Sequence, residues 1–434
     1  MRGLRLFVED WVSRNLTPLD ANCDVSVATW LRENGTYTAT RKKELAKVWD
    51  QCLGDITKSD YMVKLFTKTE TYGAYKHARG INSRSDAAKC MFGPYFHRIE
   101  EVVYKHPAFI KHVPFRERPA YIMKMLGHFP GPFVETDYTA FESHFTAEVM
   151  ECLEMVLYGH MLRNFPVALR HIRAAMLGDN KCYNKHFRIV VDARRMSGEM
   201  CTSLGNGFSN LMLAMYVAHT KGADIVGVVE GDDGLFYCNA PITSDDFLRL
   251  GFRIKMLTHD DVLEASFCGL IMSRDLCTMT DPFDTIIGFG WTHSVMRMAG
   301  ARVRMQLLRA KALSLAYEHP RCPILSTLAI AVLRWTDGVK PLFETNWYSS
   351  SLNSQVTRFR EDTDRLLSLG PSLQTRIDFA RIFGVSLEEQ RAVEGELMKW
   401  QGGPLGPLVT HMCSRVHRDV SHYSCNYVRG RPYY

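Results

Sequence analysis

The 434-residue sequence has no Cys-x-x-Cys pair, no apolar run long enough to cross a bilayer, no low-complexity tract and no internal repeat. Its 12 cysteines are scattered, which argues against a zinc site or a disulfide framework and for buried free thiols in a reducing compartment. The opening Met1-Arg2-Gly3-Leu4-Arg5 lacks a signal-peptide pattern, so membrane association is expected only through a partner or a further segment. A large excess of one charge is lacking too. The net charge of +6 permits nucleic-acid binding without demanding it. What is present is a packed globular composition, 46% hydrophobic and 11% aromatic, on a chain long enough for two or three subdomains.

The opening third mixes helical stretches with basic loops, and Thr40–Trp49 reads as an amphipathic helix. From Met62 to Phe96, basic residues alternate with apolar and turn residues, which predicts extended segments. Pro130-Gly131-Pro132 is a break, followed by a short strand Phe133–Thr136 that delivers Asp137 at its end. Residues 146–178 read as helical, Phe187–Val191 as a strand, and Thr202–His219 as a helix. Phe252–Met256 and Ser266–Leu270 are two further strand candidates. Beyond about residue 290 the pattern is largely helical, with Ser386-Leu387-Glu388-Glu389 as a capping box. An α/β centre flanked by more helical parts is expected.

The chemistry centres on Gly231-Asp232-Asp233. It lies in Val228-Val229-Glu230-Gly231-Asp232-Asp233-Gly234-Leu235-Phe236-Tyr237, which reads as strand, tight turn, strand. Two adjacent carboxylates on a hairpin tip repel unless a cation neutralises them, and hard oxygen ligands suit Mg²⁺. The tripeptide alone would arise by chance in about one chain in ten of this size. Three other stretches bear on it. Asp137, opening Asp137-Tyr138-Thr139-Ala140-Phe141-Glu142, can supply a third carboxylate to a two-metal phosphoryl-transfer site, or simply cap a helix. In Arg195–Asn210, Ser197-Gly198 feeds a helix on which Thr202, Asn206 and Asn210 share one face, able to read a ribose hydroxyl or a base, or merely to face solvent. Gly205 and Gly207 in that helix suggest close backbone approach. Lys64–Glu70 and Lys76–Asp86 interleave basic and strand-forming residues, a pattern able to neutralise a triphosphate.

Together these blocks resemble the RNA-dependent RNA polymerases of positive-strand RNA viruses, most closely the tombusvirus-like and nodavirus-like group. Asp137 to Glu142 resembles motif A, 197–206 motif B, and Gly231-Asp232-Asp233 motif C. Lys68-Thr69-Glu70 with Lys76, Arg79, Ile81 and Arg84 resembles motif F. Leu250–Lys255 resembles motif D and Phe267-Cys268-Gly269 the turn of motif E. The order F, A, B, C, D, E is the family's, across roughly residues 60 to 275.

The resemblance implies a right-hand α/β fold: a palm of antiparallel sheet plus helices, fingers, and a mostly helical thumb. By it, residues 1–128 are fingers including the basic fingertip, 129–165 palm, 166–194 a fingers insertion, 195–280 palm, 281–403 thumb and 404–434 a C-terminal tail. Asp137, Asp232 and Asp233 would hold two Mg²⁺ or Mn²⁺ ions, and Lys255 would protonate the leaving pyrophosphate. Lys68, Lys76, Arg79 and Arg84 would bind the triphosphate, while Glu142, Ser197, Thr202 and Asn206 would sense the ribose. Expected partners are RNA template and product, nucleoside triphosphates and membrane-anchored viral replication proteins, at membrane-associated complexes in the host cytoplasm. Glu142 stands where many relatives have Asp. The stretch before motif F, only about sixty residues, fits the downstream part of a larger polyprotein or readthrough product. A reverse transcriptase and a non-catalytic RNA-binding scaffold are the competing readings. The tail from Pro404, with Arg415, Arg418, Arg429 and Arg431 among His and Tyr, is either a packed or mobile terminus or an element that stacks under an initiating nucleotide.

Overall fold

Four strands, two of them with runs of buried apolar residues, build the sheet that carries the acidic residues. In the computed structural model, which describes residues 1–68, 77–289, 296, 298–343, 365 and 367–402, the chain divides into two units. The first comprises residues 1–68 and 78–268; the described part of the second is His77 and residues from Gly269 onward. The architecture is mixed α/β, with mainly antiparallel sheets and many helices.

In the first unit, helices α1 (Arg2–Asn15), α2 (Val27–Glu33) and α3 (Ala39–Gln51) precede strands β1 (Val63–Thr67) and β2 (Gly80–Arg84). Then come α4 (Asp86–Val103), α5 (Arg118–Leu126), β3 (Phe133–Tyr138), α6 (Ala147–Cys152), α7 (Glu154–Met161) and α8 (Pro166–Met176). The unit continues with β4 (Asn180–Tyr183), β5 (Arg188–Val191), α9 (Thr202–Thr220), β6 (Ile225–Glu230), β7 (Asp233–Cys238), α10 (Ser244–Leu248) and β8 (Ile254–His259). One sheet has the order β6-β7-β3-β8 and is antiparallel throughout. The other has the order β2-β1-β4-β5, with β1 and β4 parallel.

Helix α9 is the spine of this unit. Every residue from Leu204 to Ala214 is buried, so the helix is enclosed on all sides. Leu4, Val8, Trp11 and Val12 of α1 join Phe208, Leu211 and Met212 of α9 in one core, where each fully buried large side chain contributes about 2 kcal/mol. The Trp11 and Phe208 rings meet edge-on at 5.9 Å.

In the second unit, β9 (Ile271–Met272) pairs antiparallel with β10 (Thr278–Met279). Helices α11 (Pro282–Gly288), α12 (Ala301–Glu318), α13 (Leu325–Trp335), α14 (Leu373–Phe383) and α15 (Leu387–Lys399) follow. Its separate core includes Phe283, Leu315, Leu328, Val332, Phe379 and Leu397. The capping box forms as expected: Ser386 N–H donates to Glu389 at 2.8 Å, and Glu389 N–H to the Ser386 hydroxyl at 3.2 Å.

Three boundaries differ from the sequence reading. The extended stretch ends at Arg84; Ser85 caps α4, its hydroxyl accepting from Ala88 N–H at 3.1 Å, and the helix runs on through Pro94 to Val103. The strand expected at Phe252–Met256 lies at Ile254–His259, displaced by Gly251, which takes a positive φ of +90°. Ser266–Leu270 turns where a strand was expected, because Cys268 (φ +54°) and Gly269 (φ +73°) are both left-handed. The tail from Pro404, including Arg415, Arg418, Arg429 and Arg431, lies outside the described residues.

Candidate active site

The β6–β7 hairpin turns where the sequence places its glycine. Glu230 pairs with Asp233, leaving Gly231 and Asp232 as the two turn residues. Gly231 takes φ +62°, the conformation that a tight hairpin requires at its first central position and that side chains resist. Asn210 on α9 secures the turn from behind. Its Nδ2 donates toward the carbonyls of Gly231 (3.3 Å), Asp232 (3.1 Å) and Asp233 (3.0 Å). One fully buried amide thus fixes the backbone on which both aspartates ride.

Strand β3 brings the third carboxylate. Thr136 lies opposite Gly234, so Asp137 and Asp233 stand one residue further along the same strand pair. Asp137 also pairs across β3–β8 with Lys255, and both are exposed. Ala140 then adopts a left-handed conformation, φ +51° and ψ +54°. The turn is held by an aromatic cluster in which Tyr138 stacks on Phe141 at 4.1 Å and Phe141 meets Phe145 at 4.9 Å. It folds Glu142 toward α9, where Glu142 Oε1 accepts from Asn206 Nδ2 at 3.1 Å.

Electrostatics tie these groups together. Burial pushes the Asp232 carboxyl upward; the charges of Glu142 and Asp137 add to this, and Arg79 opposes it. Asp233 is pushed up to about 6 by burial, then by Asp232, Asp137 and Glu230, against a hydrogen bond from the Cys268 thiol. Carboxylates that resist ionisation for these reasons fit hard divalent cations, whose charge would relieve both desolvation and repulsion. The three aspartates do not form one tight ligand cage. Among the described residues, a group of three ligand atoms all within 4.8 Å occurs at Glu33, His97 and Glu101 instead. There Arg98 already supplies the positive charge, at 3.0 Å from Glu33 and 2.9 Å from Glu101.

The other residues singled out in the sequence divide into two groups. Thr202 donates its hydroxyl to the Met196 carbonyl at 3.0 Å, and Ser197 to the Gly80 carbonyl at 3.0 Å, so the loop before α9 is seated on β2. The backbone N–H of Lys68 donates to the carbonyl of Arg79 at 2.8 Å, and the charge of Arg79 reaches Asp232. Arg84 is placed differently. It is 4% exposed, and its three guanidinium nitrogens bond Glu199 (2.7 Å), the Tyr61 carbonyl (2.7 Å) and Asn180 (2.8 Å). It therefore clamps β2 to the loop before α9. Lys76 lies outside the described residues. A hollow of about 380 Å³ lined by Arg5, Glu9, Glu151, His160 and Arg173, among others, shares no residue with the carboxylate cluster.

Arg195 and Glu154 were not singled out in the sequence, and Asn210 was read there as a donor to a ribose hydroxyl or a base, not as a support for the turn. The four-residue step aligned Asn210 with Asn206 on one face, but nothing in the sequence places it under the turn.

A strand-borne Asp thus lies beside a Gly-Asp-Asp hairpin, backed by a buried helix whose Asn206 faces a second acid. Residues 76–402 match the family described as viral RNA dependent RNA polymerase, and the chain belongs to that family. Over 210 residues it is 26% identical to the RNA-directed RNA polymerase of Striped jack nervous necrosis virus. It is 25% identical over 205 residues to that of Atlantic halibut nervous necrosis virus, and 25% over 206 to that of Greasy grouper nervous necrosis virus. Each match covers 45% of this chain and 21% of the relative's length.

Proposed function

We propose that this chain is an RNA-dependent RNA polymerase that extends an RNA 3′-hydroxyl with template-paired nucleoside triphosphates, replicating a positive-strand RNA virus genome. The observation that carries the reading is the coupling of Asp137, Asp232, Asp233 and Glu142 at adjoining strand ends, with Asn206 bonded to Glu142 beside them. Two Mg²⁺ or Mn²⁺ ions held by Asp137, Asp232 and Asp233 would activate the hydroxyl and neutralise the leaving pyrophosphate.

The chain's own residues supply the rest. Arg79, with Lys68 and Lys76, binds the triphosphate. Asn206 and Glu142 read the ribose 2′-hydroxyl, with Ser197 and Thr202 holding the loop that frames them. Lys255, across the strand pair from Asp137, donates a proton to the pyrophosphate. Arg84, whose nitrogens are spent inside the fold, shapes the phosphate-binding strand without touching phosphate. In this reading the β6-β7-β3-β8 sheet with α9 is the palm, the β2-β1-β4-β5 sheet belongs to the fingers, and the helical second unit is the thumb. Assembly with membrane-anchored replication proteins in the host cytoplasm rests on the family resemblance alone.

The test is single-nucleotide extension of primed RNA and DNA templates with Mg²⁺ or Mn²⁺. Ribonucleotide addition on RNA is expected. Preferential deoxyribonucleotide addition would favour a reverse transcriptase, and RNA binding without addition on any template would leave a scaffold.

A further inference from the structure

Directly behind Asn206 lies an ion pair that the proposed chemistry does not use. Arg195, in the loop before α9, and Glu154, the first residue of α7, have fully buried side chains 2.6 Å apart. Arg195 Nη1 donates to Asn206 Oδ1. The Phe145 ring lies 3.8 Å from the guanidinium carbon, and Tyr158 donates its hydroxyl to Glu154 at 3.3 Å. The pair presses on the α9 backbone: a Cβ on Gly205 would sit 2.6 Å from Glu154 Oε2. The close approach suggested by glycine at this position therefore has a physical object.

Such a pair is a poor way to gain stability. Desolvating two charges costs several kcal/mol each, and apolar residues of similar volume often pack as well or better. Here the satisfaction is also incomplete: among the described residues Arg195 Nε and Glu154 Oε1 have no hydrogen-bond partner. What the pair does accomplish is orientation. The two ends of an asparagine amide are alike in shape and opposite in hydrogen-bond sense. A guanidinium can only donate, so it selects the Oδ1 end and turns Nδ2 toward Glu142.

We propose that Arg195, held in place by Glu154, is a positioning residue that fixes the amide of Asn206 with its N–H groups toward Glu142 and the incoming 2′-hydroxyl, and so sets the preference for ribonucleotides. This rests on the reading of Asn206 as a ribose sensor. Without the guanidinium the amide is free to rotate, and Glu142 loses its partner for part of the time.

The experiment is single-nucleotide extension with matched ribo- and 2′-deoxyribonucleoside triphosphates, read as the ratio of their kcat/KM values, together with melting temperature and primer–template affinity. Arg195→Met/Glu154→Leu removes both charges at similar volume. Its ratio is expected to fall about tenfold, as in Asn206→Ala, through the ribonucleotide value, and adding Asn206→Ala to it should give no further loss. Arg195→Lys keeps a charge beside Glu154 but lacks the fork that reaches both partners; its ratio should fall about threefold with cooperative melting retained. A folded double variant with the wild-type ratio overturns the proposal. If the double variant does not fold, an unchanged ratio in Arg195→Lys does so. An Asn206→Ala enzyme with unchanged discrimination removes the sensor reading itself, and a wild-type protein that adds no nucleotide removes the polymerase reading.

Discussion

Two sets of low-exposure charges lie in the same unit and are treated in opposite ways. Arg84–Glu199 and Arg195–Glu154 are paired at 2.7 and 2.6 Å, with side chains at most 5% exposed. Asp232 and Asp233 are gathered with Asp137, Glu142 and Glu230, and their carboxyls are pushed up by burial and by one another. The paired set brings together elements far apart in sequence and sets each charge against an opposite one within the fold. In the carboxylate set Arg118 pairs with Glu230 at 2.6 Å, but the Asp232 and Asp233 carboxyls stay pushed up, with Arg79 partly offsetting Asp232, and that deficit is what a divalent cation would correct. The two sets thus differ in how their charges are satisfied.

The largest effect should come from the unsatisfied set. Asp232→Ala is expected to lower the rate of nucleotide addition by about a thousandfold, the scale of losing one electrostatic element of a transition-state site. Affinity for primed RNA, measured by fluorescence anisotropy, should change by no more than about threefold, since phosphate contacts come from basic residues. Next is the paired set. Arg195→Ala strands a buried carboxylate and should cost about 3–5 kcal/mol in urea unfolding, whereas Asp232→Ala should leave the unfolding midpoint unchanged or raised. Asn210→Ala removes the amide under the hairpin turn but neither carboxylate. A loss of about ten- to a hundredfold in addition rate is expected, partly recovered at high Mn²⁺, if the turn it holds presents the aspartates to metal as proposed.

The pH dependence is the mildest contrast. Asp233 titrates near 6 in the folded chain against 3.8 for the free carboxyl, so between these values the folded state binds the extra proton. Without divalent cations this group's contribution to stability is therefore present below about pH 4 and lost as pH rises through 6. Melting in EDTA across pH 4–7 reads this, and Asp233→Asn should flatten that part of the profile. An identical profile in the variant would separate the upward shift from Asp233.

The elements around the site were legible where local pattern and tertiary role agree. The apolar–acidic–apolar run at 228–237 gave a hairpin, and Thr202–His219 falls almost exactly on α9. The helix from Asp86 was missed because the basic alternation before it was extended too far, past the Ser85 cap. Arg84 read as a phosphate ligand because its neighbours are basic; its true partner Glu199 is 115 positions away and has no local signature. The seat of Asn210 under the turn and the Arg195–Glu154 pair were hidden for the same reason, since a buried network is assembled by packing and not by spacing. The alignment of Thr202, Asn206 and Asn210 was visible, but only enclosure of α9 converts it from a solvated face into two buried amides, one on the Glu142 carboxylate and one on the backbone of the hairpin turn.

On the proposed reading the unsatisfied carboxylates bind the cations while the paired charges are scaffold. The most direct measurement is the rise in melting temperature on adding Mn²⁺ at pH 7.5 to the wild type, to Asp137→Asn/Asp233→Asn and to Arg84→Lys. A rise in the wild type that survives Arg84→Lys and disappears in the double aspartate variant is the predicted result. An equal rise in all three proteins would contradict the claim.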